Sequence, residues 1–122
     1  MENIMSRIKN SGKPDGGGDR LPAVVIFRLL ANEQRLRTLQ YLSRSVGTVK
    51  TKDIADYLTI LEGNHTREQF ERMCTSLVHV HIPALVDASV VEYDPANETV
   101  RLLDVAGDIA PYLELADRTP GQ

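Results

Sequence analysis

The sequence predicts a mostly α-helical domain with one small β-hairpin, and three observations predict it. Apolar residues recur at helical spacing through most of residues 21–85. Residues 90–93 and 99–103 are short β-branched runs separated by turn-forming residues, and helix-capping side chains stand at the junctions between segments. With 122 residues, 42% of them hydrophobic, the chain holds enough apolar material for one core. The expected organisation is a flexible arm over residues 1–20, one domain over 21–118 and a frayed tail over 119–122.

The arm contains Gly12, Pro14 and the run Gly16-Gly17-Gly18 and lacks apolar periodicity. That run is no phosphate loop, because no Gly-Lys-Ser/Thr follows it. Pro22 suits a first helical position, and of residues 23–30 only Arg28 is polar. A helix apolar nearly all round needs cover on every side, and a second subunit is the natural cover. Val25, Ile26 and Leu29 on this helix, with Ile109, Tyr112, Leu113 and Ala116 near the other end, form the expected homodimer contact.

Asn32 is a good N-cap for a helix that places Leu36, Leu39, Tyr41 and Leu42 at helical spacing as far as Arg44, and Gly47 ends it. Residues 48–50 suit one brief strand. Thr51 is expected to cap a helix over 52–61 whose Ile54, Ala55, Leu58 and Leu61 share a face. After a turn at 62–65, Thr66 and Gln69 form a capping box that opens a long helix through Phe70, Cys74, Leu77, Val78, His81 and Leu85. Pro83 is expected to kink or divide that helix. The hairpin follows, with residues 94–98 as its turn. Asp108 is expected to cap a last helix, with Pro111 in its first turn.

The net charge of -3 conceals a segregation: residues 28–52 carry +5 and residues 86–122 carry -6. A polyanion partner needs a positive face rather than a positive total, because the potential that steers association is local. No apolar run is long enough to span a membrane and no signal-peptide h-region is present, so a cytoplasmic location is expected. A single thiol, Cys74, excludes an intramolecular disulfide.

Helices followed by a two-stranded hairpin give the winged helix-turn-helix order, with expected dimerisation helices at both ends. In that arrangement the second helix of the motif enters the major groove. Phosphate anchors are then expected at Lys50, Thr51 and Lys52, where side-chain charge coincides with a helix N-terminus. Base readers are expected on the outward face of the long helix at Arg72, Thr75, Ser76 and His79, with Arg67 and Gln69 in its first turn. Arg101 is the one base offered by the hairpin. The bland alternative for each is an ordinary solvated face.

The segments Leu30-Ala31-Asn32-Glu33-Gln34-Arg35-Leu36-Arg37 and His81-Ile82-Pro83-Ala84-Leu85-Val86-Asp87-Ala88-Ser89-Val90-Val91-Glu92-Tyr93-Asp94 resemble a family of short haloarchaeal winged-helix DNA-binding regulators. The resemblance covers roughly residues 29–103. It implies a homodimeric transcription regulator that binds double-stranded DNA, with terminal helices making the dimer. The hairpin tip departs from that pattern, since Asp94 and Glu98 stand where a DNA-touching wing is usually basic.

No metal or cofactor is expected. His79 and His81 lie two apart on a helix and point away from each other, so His81 is expected to be structural and His79 a surface residue. Apolar neighbours make Cys74 an inert, buried thiol rather than a redox sensor. No catalytic motif is present, and Asp53 and Asp56 suit a solvated helix face, so the chain is not expected to be an enzyme. A winged-helix protein-interaction module is the competing expectation, because function belongs to the site rather than the fold.

Overall fold

A computed structural model describes residues 21–117. The expected arm, the tail and the boundary at residue 118 lie outside the described residues.

Among the described residues, six α-helices and three strands follow one another as α1 (Ala23–Leu30), α2 (Glu33–Ser43), β1 (Thr48–Lys50), α3 (Thr51–Leu61), α4 (Arg67–Ser76), α5 (Ile82–Asp87), β2 (Val91–Asp94), β3 (Thr99–Leu102) and α6 (Ala110–Asp117). A π-helical turn, Leu77–His81, joins α4 to α5, and a 3₁₀ segment, Asp104–Asp108, precedes α6. The strands form one antiparallel sheet in the order β1-β3-β2. The brief first strand, by pairing with the returning strand of the hairpin, fastens the wing to the start of α3.

The caps read from sequence explain two helix starts. Asn32 accepts a hydrogen bond from the Arg35 N–H at 3.1 Å, and Thr66 accepts one from the Gln69 N–H at 3.1 Å, each satisfying a donor that the helix leaves over. The return arm of the expected capping box does not form, because Gln69 Oε1 accepts from Arg72 instead. Gly47 has φ +75°, a backbone state that glycine adopts without strain, and it turns the chain from α2 into β1.

The core is closed by Leu39 of α2, Ile54 and Leu58 of α3, Leu77, Ile82 and Leu85 of the long rod, Val90 and Val100 of the wing, and Ile109 before α6. The helix is divided at Pro83, which stands in the first turn of α5, and the turn before it widens: the Ile82 N–H donates to the Leu77 carbonyl five residues back, and Leu77 and Ile82 both face the core. A proline has no N–H to give and its ring crowds the carbonyl four residues earlier, so a wider turn accommodates it where a regular one would clash. The buried stripe of α4 runs through Met73, while Phe70 and Cys74 are only half-buried, which shifts the expected apolar face by about one position.

Three further expectations are corrected. Thr51 does not cap α3, since β1 runs directly into the helix and Lys50 occupies the N-cap position without a side-chain cap bond. Asp108 does not cap α6; it ends the 3₁₀ segment and accepts from the Leu21 N–H at 2.9 Å, which ties the start of the described chain to its end. Of the expected dimer residues, Ile26, Leu29, Ile109 and Leu113 are buried in the core of a single chain and leave no surface for a partner. Val25, Tyr112 and Ala116 are half-buried. The terminal helices expose Val24, Phe27 and Leu115 instead, and Phe27 meets Tyr112 edge-on at 5.6 Å, so α1 and α6 lie side by side.

Candidate nucleic-acid interface

α3, the turn at 62–66 and α4 form the helix-turn-helix. Gly63 takes φ +73° in that turn, and His65 Nε2 lies 2.5 Å from Asp56 Oδ1, so the turn is clipped back onto α3. This clip was missed in the sequence because its partners are nine residues apart with no shared periodicity.

Three elements converge around the middle of α4. Burial pushes the half-buried Cys74 thiol up from its ordinary pKa. The Lys52 charge opposes this, while Glu98 and Glu71 reinforce it. The start of α3, the wing tip and α4 are therefore neighbours. Lys50 and Lys52 are exposed at this junction. Thr51 between them is 4% exposed, and its N–H donates to the Glu98 carbonyl at 3.0 Å. The expected phosphate contact from Thr51 is thereby corrected: its side chain is buried and its amide is engaged inside the protein, and of the three residues Lys50 and Lys52 remain exposed.

On α4, Arg67, Arg72 and Thr75 are exposed and Gln69 and Ser76 are half-buried. Thr75 Oγ1 donates to the Glu71 carbonyl at 3.1 Å and retains its capacity to accept. His79 is exposed but stands within the π turn. The wider turn advances each residue by a smaller angle, so His79 lags behind the position that regular helical spacing gave it relative to Arg72. His81 is buried at 3% exposure, with Nε2 2.8 Å from Gln34 Oε1. Among the described residues no group of three or more His, Cys, Asp or Glu side chains is placed to hold a metal ion.

The sheet turns Val49, Val91 and Val100 inward. The register places Thr48, Arg101 and Glu92 in one row of its outer face, and Lys50, Thr99 and Asp94 in the next. Arg101 Nη2 donates to Glu92 Oε1 at 2.6 Å. The wing tip is ordered by its own acid: Asp94 accepts from the N–H groups of Ala96 and Asn97 and from Asn97 Nδ2, which holds its carboxyl below the usual pKa.

Each arginine expected at a DNA contact has a glutamate beside it. Arg67 pairs with Glu71 at 3.4 Å, Arg72 with Glu68 at 2.7 Å and Arg101 with Glu92 at 2.6 Å. Nor does the basic stretch over residues 28–52 form a single patch. Arg35 donates to the Leu29 and Arg28 carbonyls and so caps the end of α1, and Arg37 bonds Glu33 and Gln40. A cavity of about 540 Å³ opens between α2 and α3, lined by Asn32, Gln34, Arg37, Leu58, Leu61 and Glu62 among others.

This order of elements, with a protruding second motif helix and a hairpin closing a three-stranded sheet, is that of a winged helix-turn-helix domain. Residues 27–101, from within α1 to the returning strand of the wing, match DUF7344, a domain of unknown function, and the chain belongs to that family. No curated protein and no solved structure matches the chain. Among the described residues no helix is long and apolar enough to cross a membrane.

Proposed function

We propose that the protein is a sequence-specific regulator of transcription that binds double-stranded DNA as a homodimer in the cytoplasm, with α4 in the major groove. The resemblance to haloarchaeal winged-helix regulators, RosR or a near relative, agrees with this reading. The observation that carries it is the placement of Arg67, Arg72 and Thr75 on the outward face of α4, with Lys50 and Lys52 exposed where α3 begins beside it. A helix so presented offers base-reading groups, while the flanking lysines offer phosphate anchors. The exposed Val24, Phe27 and Leu115 on the adjoining terminal helices supply an apolar surface for a second copy.

The arginine–glutamate pairs and the acidic wing tip favour a second reading, a winged-helix module that binds protein rather than DNA. Binding to duplex DNA measured by fluorescence anisotropy at two salt concentrations separates the two. Specific regulation requires tighter binding to sequences selected from a random pool than to bulk DNA. A chain that binds neither is the interaction module.

A further inference from the structure

Arg67 and Arg72 both project from α4, yet the structure treats them differently. Arg67 has one contact, Glu71 at 3.4 Å, and its side chain is 88% exposed. Arg72, with its side chain 69% exposed, has two partners, Glu68 Oε2 at 2.7 Å on Nη2 and Gln69 Oε1 at 3.2 Å on Nη1. Gln69 is itself half-buried, and its N–H is held by Thr66 Oγ1. Both acceptors lie on the preceding turn, so they draw the guanidinium toward the N-terminal end of α4. That is the end a recognition helix presents to base edges.

We infer that Glu68 and Gln69 are positioning residues that aim Arg72 at a guanine edge, and that Arg72 rather than Arg67 selects guanine at one operator position. The inference rests on the DNA-binding reading above. A guanidinium has five N–H donors, and the two partners use two of them. Three remain, enough for paired bonds to guanine O6 and N7. An arginine already held in one geometry loses less freedom when it binds a base. The Glu68 carboxylate also disfavours approach of a phosphate to the same group, so Arg72 is steered from backbone to base. Glu68 therefore has two opposed effects: it weakens binding to DNA of any sequence and sharpens the choice among sequences.

The test uses the full chain, the duplex best enriched by the wild type from a random pool, its single-base variants and bulk random duplex. For the wild type, changing one guanine is expected to weaken binding about tenfold or more, and Arg72→Ala is expected to abolish that preference. Glu68→Gln is expected to cut the preference to about threefold while tightening binding to random duplex, and Gln69→Ala to cut it without that tightening. A change that merely loosened the fold would weaken both kinds of binding, and one that merely removed charge would strengthen both equally. Either of those results, or a Glu68→Gln variant with its preference intact, overturns the inference while leaving the DNA-binding reading standing. So does a guanine preference that Arg67→Ala abolishes and Arg72→Ala leaves untouched. A wild-type chain that enriches no sequence overturns both.

Discussion

His81 Nε2 lies 2.8 Å from Gln34 Oε1, and Nε2 of the same Gln34 lies 3.1 Å from Glu62 Oε2. Because the Gln34 amide donates to the carboxylate, its oxygen is left to accept, and His81 Nε2 must carry the proton. Nδ1 is then a bare lone pair, buried and without a partner among the described residues. The chain of contacts joins the π turn to the first turn of α2 and the end of α3.

The pH dependence of stability follows from that arrangement. Burial, with the nearby Arg35 charge, lowers the His81 pKa below the ordinary 6.5. Above 6.5 the ring is neutral whether the chain is folded or not. As pH falls through 6.5 the unfolded chain takes up the proton first, so stability declines until the folded-state pKa is reached and then levels off. Urea denaturation of the wild type from about pH 7.5 to about pH 5 should show this decline, and His81→Gln should flatten it. A slope unchanged by the substitution would mean that other groups set it.

On the proposed reading, a phosphate anchor and a base reader should differ in kind. Lys52→Ala should weaken binding to all DNA sequences alike and lower the slope of log K against log salt by about one. Arg72→Ala should cost about 1–3 kcal/mol at the selected sequence and much less on random duplex. Titrations at three salt concentrations distinguish the two patterns, and equal losses on both kinds of DNA for both variants would show that α4 reads no bases.

On the wing, Glu92 holds the one arginine that the outer face of the hairpin offers. Glu92→Gln and Glu98→Gln should each tighten DNA binding at low salt, and the gain should shrink at about 1 M salt, where the Debye length is about 3 Å. Arg101→Ala should weaken binding. Asp94→Asn is a different experiment, because Asp94 orders the turn through Ala96 and Asn97. Its variant should loosen the hairpin, seen as faster amide exchange at residues 96 and 97, whatever it does to affinity.

The proposed dimer surface gives a prediction independent of DNA. Phe27→Asp and Leu115→Asp, at side chains exposed in one chain, should convert a dimer into a monomer at micromolar concentration by light scattering, with the helical signal retained. If dimers are used on DNA, the two copies of α4 should address half-sites about 34 Å apart. A wild-type mass that is monomeric throughout rejects this surface as the contact.

In the core, Leu77→Ala should cost about 2–5 kcal/mol, since a fully buried leucine leaves a cavity that the close-packed rod cannot collapse. Chemical denaturation measures it directly.

Local chemistry was legible in the sequence wherever one residue decides the outcome. Asn32 and Thr66 announce their helices because a short side chain that accepts a backbone N–H has few other uses there, and residues 94–98 announce a turn for similar reasons. Thr51 misled because it is the same type of residue in a place where the turn at the wing tip, far along the chain, brings the Glu98 carbonyl to its N–H. The π turn was hidden because residues 77–82 are apolar at nearly every position apart from the histidines, so no period stands out. The charge segregation along the chain was legible, but charge counts carry no information about which carbonyls and carboxylates the arginines meet. Those partners are set by tertiary packing, as with Arg35 at the end of α1. Likewise, an apolar helix reads the same whether its cover is its own core or a second copy.

One extra residue in the turn at Leu77–His81 has a mechanical consequence. A regular helix locks the azimuth of every residue to that of every other, so an outward face on its first half dictates what its second half must bury. The wider turn resets that phase. The front of the rod is oriented by its outward side chains and the rear by the core it fills, and the two orientations are independent. Deleting a single residue from the turn would remove the extra residue and return the rod to regular helical spacing, locking its two halves to one phase again.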